Sequence, residues 1–298
     1  MNRTVRLEAP AKVNLRLVVI AREETGYHSL ETIFCGLALA DRLEIAESDT
    51  PGIHLEVEGD VDTGPIEQNL VMRAARCFYK TARVEPAITI RLTKTIPSAA
   101  GLGGGSSDAA ATLRALNAFH GRPCNRGSLL RLGAELGSDV PFFLTRSPLA
   151  LAWGRGERLL ELQPLSPKPV LVAHPGVAVP TAQAFARFAE LRGSRRAAPP
   201  AALRPGALRG WRSLARLATN DLEVVAAERI PGLFDTKAKM VDAGAFITLL
   251  AGSGGALFGV FSEPAQLEPI ERTLRAEGFA TWRTATLSRW PEPTFANE

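Results

Sequence analysis

Few of the 298 residues are of the kinds on which several common chemistries depend. Three cysteines, Cys35, Cys77 and Cys124, are an odd number without metal-type spacing, which argues against a disulfide framework or a zinc site and fits a reduced, cytoplasmic setting. No apolar run approaches the ~20 residues of a membrane-spanning helix, and no charged start followed by an apolar stretch marks a leader, so no membrane association is expected. Aromatic residues make up only 6% of the chain, and its basic residues are scattered, Arg195-Arg196 being the nearest approach to a cluster. A nucleic-acid partner is therefore not expected despite a formal charge of +4. That mild excess suits electrostatic steering of a phosphate-bearing small molecule. Two familiar phosphate loops are missing as well. A Walker A loop ends in Gly-Lys-Ser/Thr, and no lysine lies between Lys94 and Lys168. The dinucleotide fingerprint needs a glycine where Ser106 stands.

What is present is a glycine-rich run from Pro97 to Ala110, with Gly101, Gly103, Gly104 and Gly105 in five positions, then Ser106, Ser107 and Asp108, then alanines. Glycines let a backbone wrap closely around a ligand, serine and aspartate favour helix N-caps, and alanine propagates the helix. A glycine turn feeding a helix N-terminus gathers unpaired N–H groups and a positive dipole end, a combination suited to phosphate. A serine that merely caps the helix is the simpler use of Ser106 or Ser107.

The chain is long enough for two domains, and its 46% hydrophobic and 22% charged content is that of a globular protein. Arg3 to Glu8 and Val13 to Ile20 read as paired strands bent at Pro10, and His54 to Glu58, Ala87 to Leu92, Val170 to Ala173 and Ala256 to Phe261 as further strands. Helical spacing covers Asn69 to Thr81, the segment after the glycine run, Leu129 to Leu136, Asn220 to Arg229 and Phe234 to Ala243. Gly137 reads as a left-handed helix terminator that delivers Ser138-Asp139. Gly193 to Gly210 reads as a surface insertion, and Pro291 and Pro293 as marks of a frayed tail. A change of unit falls near Trp153 to Leu165, giving domains 1–155 and 156–298, with the final strand a candidate to return to the first.

Gly-Leu-Gly-Gly-Gly-Ser-Ser resembles the phosphate-binding motif of the GHMP small-molecule kinases. Three more segments, Pro10 to Leu17 with Gly26-Tyr27-His28, Gly137-Ser138-Asp139-Val140-Pro141, and Val172 to Val177, are similar to the branch of that superfamily that phosphorylates a diphosphocytidyl polyol in non-mevalonate isoprenoid biosynthesis. The resemblance runs in order from about Pro10 to Phe261. It implies an α+β fold, with an N-terminal ribosomal protein S5 domain 2-like domain, a C-terminal ferredoxin-like domain and a cleft between them. The implied reaction is phosphorylation of the acceptor's 2-hydroxyl, with ATP and Mg²⁺.

Under that resemblance, Pro97, Ala99, Ala100, Gly101, Leu102, Gly103, Gly104, Gly105, Ser106, Ser107 and Asn69 would hold ATP, with Ser107 a ligand for Mg²⁺. Asp139 would accept the proton of the acceptor hydroxyl, and helix capping is its plainer alternative. Lys12 stands in an otherwise apolar strand, where a charge is costly unless paired or functional, and the resemblance pairs it with Asp139. Asn14, two residues on and thus on the same strand face, would hydrogen-bond the acceptor, as would Gly252 and Ser253 of a second glycine turn. Tyr27 and His28 would form the cytidine pocket, a ring pair able to stack on a pyrimidine. Relatives carry a hydroxyl residue where this chain has Ala251. His174 reads as structural, and no function attaches to His54 or His120. A GHMP kinase acting on homoserine or a sugar, or a nucleotide-binding protein of this fold without activity, are the other readings. Retained Tyr27-His28 argues against the first, and retained Lys12 and Asp139 against the second.

Overall fold

A computed structural model of the chain describes residues 3–22, 28–59, 64–193 and 203–296. The first half runs β1 (Thr4–Arg22), β2 (His28–Glu47), β3 (Gly52–Glu58), α1 (Leu70–Ala82), β4 (Ala87–Thr93), α2 (Gly104–Phe119), α3 (Arg126–Leu136), β5 (Leu149–Gly154) and β6 (Arg158–Glu161). There follow β7 (Pro169–His174), α4 (Thr181–Arg192), α5 (Trp211–Leu217), β8 (Thr219–Asn220), α6 (Glu223–Ala226) and α7 (Leu233–Asp242). The chain closes with β9 (Ala245–Leu250), β10 (Leu257–Phe261), α8 (Leu267–Ala276), β11 (Ala280–Ala285) and β12 (Thr294–Ala296). The result is an α+β molecule with two sheets. One contains eight strands, with β12-β1-β2-β4-β3 in order, β5 joining β2 to β6, and β8 beside β1; the other is four-stranded and antiparallel, β11-β7-β10-β9.

The apolar pattern fixes how these layers stack. Helix α1 starts on Asn69, whose side chain accepts from the Val71 N–H at 2.9 Å, and buries Val71, Ala74, Ala75 and Phe78 on one face. Alanines 109, 110, 111 and 115 of α2 let it lie close to β1 and α1, and α3 completes a cluster on the large sheet. In the small sheet every residue from Val170 to Ala173 is buried, because β7 is covered on both faces. Val170 and Val172 face the large sheet's Val13, Leu15 and Ile33, while Leu171 and Ala173 face the layer of α4, α6, α7 and α8. Phe258 of β10 is fully buried between the sheets. Phe258→Ala is expected to destabilise the protein by about 3–5 kcal/mol, read as a lower midpoint in denaturant unfolding with little change in its slope.

Several expectations are corrected. Arg3 to Glu8 and Val13 to Ile20 are one continuous strand pairing with β2, not two strands paired with each other. Pro10 is tolerated because the register shifts between Pro10 and Lys12, where a missing N–H costs no ladder bond. Gly137 has a φ of 173°, extended rather than left-handed. Only Glu223–Ala226 of the expected Asn220 to Arg229 helix is α-helical, since Asn220 belongs to β8 and its Oδ1 turns back to accept from the Leu222 N–H. Nor do the described residues after Arg289 fray. Trp290 is buried against Phe142 and Phe143, and β12 pairs with Thr4 to Arg6 in the large sheet. Among the described residues, no helix is long and apolar enough to cross a membrane.

Candidate active site

The glycine run is a turn that enters α2. Ala99, Gly101 and Gly103 all have positive φ, 54°, 81° and 71°. Alternating left-handed residues point successive N–H groups toward one side. Ser107 donates the first intrahelical bond, to the Gly103 carbonyl at 2.9 Å, so the amides of Gly104, Gly105 and Ser106 have no carbonyl within the helix. Capping by serine is not found: Gly103 is the N-cap and no side chain caps it. The Ser107 hydroxyl is buried without a protein hydrogen-bond partner. Leu70, next to the capping Asn69, lies 3.5 Å from where a Cβ on Gly105 would stand, so α1 begins beside this turn.

Strand β1 runs beneath it. Past the bulge, the Lys12 N–H donates to the Leu102 carbonyl at 2.9 Å. The Lys12 stem passes under Gly103, where an added Cβ would meet its Cγ and Cε at 3.0 Å. Its Nζ then lies 3.2 Å from Asp139 Oδ2 and 2.9 Å from Asn14 Oδ1, and 5.2 Å from the centre of the Phe34 ring. The ammonium is thus paired as well as buried, as burial of a charge requires. Asn14 is fixed in turn by donating to the Thr32 hydroxyl at 2.7 Å. Asp139 begins a short 3-10 turn, Val140–Leu144, but makes no side-chain cap bond, and its side chain keeps 29% of its exposure.

The second glycine turn closes the same place. Gly252 has a φ of 55°, and a Cβ there would stand 3.4 Å from Lys12 Nζ and 3.1 Å from the Gly101 carbonyl oxygen. A Cβ on Gly101 would overlap the Ala251 carbonyl, and one on Gly254 would overlap the Gly101 amide. The two turns therefore lie backbone against backbone, joined by a bond from the Ala256 N–H to the Ala100 carbonyl at 3.3 Å. Ala251 is fully buried in the apolar layer between the sheets, where its methyl group needs no polar partner. Ser253 shares a 2.8 Å hydrogen bond with the Thr181 hydroxyl.

Sequence reasoning missed three contributors. Asn220 donates to the Leu250 and Gly252 carbonyls at 2.9 and 2.7 Å and so holds the second turn. Lys94 is buried between Asp41 and Asp108, and Asp41 also accepts from the Thr95 and Ile96 N–H groups at 2.5 and 2.8 Å. Burial pushes the Asp108 carboxyl up, against the pull of the Lys94 ammonium. This cluster underpins the first glycine turn, since a Cβ on Gly104 would stand 3.4 Å from Lys94 Nζ. Phe185 of α4 stacks on His28, ring centres 5.2 Å apart and planes 26° apart. Tyr27 lies outside the described residues. His174 accepts from the Gly176 N–H at 3.1 Å, and burial pulls its pKa down. Among the described residues no group of three or more His, Cys, Asp or Glu side chains is placed to hold a metal ion.

This arrangement has relatives. The GHMP kinases N terminal domain family matches residues 69–147, and the GHMP kinases C terminal family matches residues 201–280. A 4-diphosphocytidyl-2-C-methyl-D-erythritol kinase of Geobacter sp. is 38% identical over 274 residues, covering 92% of this chain and 94% of that one. Another from Solibacter usitatus is 42% identical over 268 residues, covering 88% and 82%. A crystal structure of a 4-(cytidine 5'-diphospho)-2C-methyl-D-erythritol kinase superimposes with a TM-score of 0.74 at 37% identity, over 94% of this chain and 98% of that one. A homoserine kinase from Cytophaga hutchinsonii shares the fold alone, with a TM-score of 0.72 at 19% identity over 99% and 97% of the two chains.

Proposed function

The chain belongs to the 4-diphosphocytidyl-2-C-methyl-D-erythritol kinase family of the GHMP kinases, and we propose that Lys12, Asp139 and the turn from Gly101 to Ser107 carry out its reaction. That reaction is ATP-dependent phosphorylation of the diphosphocytidyl polyol at its 2-hydroxyl, a step of non-mevalonate isoprenoid biosynthesis. The observation that carries the residue assignment is the Lys12 ammonium, set between Asp139 and Asn14 directly under the glycine turn.

Phosphoryl transfer needs positioning and charge neutralisation more than covalent chemistry. The free amides of α2's first turn hold the ATP phosphates, with Pro97, Ala99, Ala100 and Leu102 shaping the backbone and Asn69 seating α1 beside it. Asp139 accepts the proton of the acceptor hydroxyl. Lys12 holds that carboxylate in place and offsets negative charge as the phosphoryl group moves. Asn14, Gly252 and Ser253 border the acceptor's polyol. The buried, unpartnered Ser107 hydroxyl fits an oxygen ligand of Mg²⁺, an ion that takes few protein oxygens and fills its shell from phosphates and water. Such an ion would supply neutralisation of the β- and γ-phosphate charge. We place the ATP side in residues 1–155, with 156–298 facing the acceptor through Phe185, Gly252 and Ser253, the protein in the cytoplasm, and β12 returning to the large sheet.

The His28–Phe185 pair, with Tyr27, provides rings on which cytosine stacks. Truncating His28 to alanine is expected to weaken the acceptor by about 1–3 kcal/mol, the worth of one stacked base, and to leave the KM for ATP nearly unchanged. CDP should compete with the acceptor in the wild type and lose that ability in the variant. A coupled ADP-release assay comparing the diphosphocytidyl substrate with homoserine, galactose and mevalonate tests the whole reading. Ready turnover of one of the latter three, with no competition by CDP, would overturn it.

A further inference from the structure

Helix α4 buries Ala184 fully and packs Phe185 and Phe188 partly against the core. Polar contacts tie down its two ends. At the start, the Thr181 hydroxyl bonds Ser253 of the second glycine turn at 2.8 Å. At the end, the Arg192 guanidinium donates to two successive carbonyls of β1, from Nη1 to Val19 at 2.7 Å and from Nη2 to Ile20 at 3.2 Å. Successive carbonyls of a regular strand point to opposite sides. Here the β1–β2 register shifts between Val19 and Ala21, and such a bulge turns neighbouring carbonyls toward one edge. A planar fork is the side chain that can take both.

Among the described residues, that edge of β1 has no strand beside it beyond Leu17. The pairing with β8 stops at Leu17–Asn220, the Asp221 N–H then donates to the Leu17 carbonyl at 3.0 Å, and Asp221 Oδ2 accepts from the Val19 N–H at 2.9 Å. Arg192 continues this run of bonds where backbone pairing ends. Seven residues before it, and so on the same helix face, Phe185 stacks on His28. Midway along the helix, Arg187 forks onto Glu228 and Gln183 accepts from Arg229 at 2.8 Å, but these contacts are solvent-exposed and lie away from the end that Arg192 holds.

We propose that Arg192 is a positioning residue for the acceptor: by gripping the bulged end of β1 it holds α4, and with it Phe185, against His28. The inference rests on the reading of His28 and Phe185 as the base-stacking wall. It sets acceptor affinity apart from ATP affinity, since Arg192 makes no contact with the glycine turns.

The test is steady-state kinetics with each substrate varied, on the wild type, Arg192→Ala, Arg192→Lys and His28→Ala, with thermal melts of each. Arg192→Ala is expected to raise the acceptor KM about tenfold, the scale of one charge-assisted hydrogen bond. The kcat and the KM for ATP should stay within about twofold, and inhibition by CDP should weaken in parallel. Arg192→Lys, which keeps the charge and a donor but not the fork, should fall between. In a His28→Ala background the effect of Arg192→Ala should shrink, because the residue acts through that wall. An unchanged acceptor KM in Arg192→Ala alongside a raised one in His28→Ala overturns the proposal and leaves the pocket standing. An unchanged KM in both variants overturns the pocket as well. A lowered melting temperature with equal rises in both KM values would make Arg192 a general structural residue, and the proposal would again be wrong.

Discussion

Asp139→Asn is expected to reduce turnover by about 10²-fold or more, the usual contribution of a positioned general base, while ATP binds as before. Asparagine keeps the size of the side chain but neither its charge nor its ability to take the acceptor's proton. Three features separate this effect from a folding defect. Asp139 makes no cap bond to the turn it begins, so no cap is lost. Its side chain is partly exposed, so no cavity opens. Lys12 loses its counter-charge but keeps neutral oxygen acceptors, Asn14 Oδ1 at 2.9 Å and the amide oxygen of the new asparagine, which limits the cost to stability. Melting temperature should therefore fall only modestly, and the calorimetric affinity for ATP should match the wild type, while kcat collapses. Near-normal kcat in a folded variant would mean that Asp139 orients nothing and accepts nothing, and the assignment of the base would fail.

The segments legible in the sequence are those whose physics is local. Asn69 ahead of a helical apolar stripe is a cap wherever the chain goes, and it caps α1. Glycines followed by alanines make a turn and then a helix whatever packs on them, which is why Pro97 to Ala110 read correctly as such. Lys12 stood out because a charge in an apolar strand needs a partner, although the partner, 127 residues along the sequence, was supplied by resemblance and not by spacing. What stayed hidden depends on contacts that no window of sequence contains. Pro10 looks like a strand break until β2 is in place and a bulge absorbs the missing donor. Pro291 and Pro293 look like a fraying tail, but Trp290 fills a gap beside Phe142 and β12 finds the free edge of β1. Phe185 lies in a segment that carried no expected element, and nothing marks it until His28 is beneath it. The Asp41–Lys94–Asp108 cluster joins a strand, a loop and a helix, with nothing at fixed spacing to announce it.

The glycines of the first turn do different work, and two alanine substitutions should pull those roles apart. Gly101 serves the fold. It has a φ of 81°, and a Cβ there would overlap the Ala251 carbonyl, which is backbone and cannot swing aside. Left-handed strain of about 1–2 kcal/mol adds to about 1–3 kcal/mol of overpacking, so Gly101→Ala should lower the unfolding free energy and push the two turns apart, with ATP binding lost together with stability. Gly105 is different. It is exposed in the first turn of α2, its φ is negative, and a Cβ would meet nothing closer than Leu70 Cδ1 at 3.5 Å. The fold alone would accept alanine there and gain up to about 1 kcal/mol of helix propensity. A glycine that the fold does not need points to a partner outside the chain, here the phosphates resting on the unpaired amides of Gly104 to Ser106. Gly105→Ala should therefore melt at the same temperature or higher yet bind ATP at least about tenfold more weakly, because a methyl group holds the phosphates off the amides. Thermal melts and calorimetric ATP titrations on the two variants decide it. If Gly105→Ala binds ATP with wild-type affinity, the phosphates do not sit on the first turn of α2, and the nucleotide site must be sought elsewhere.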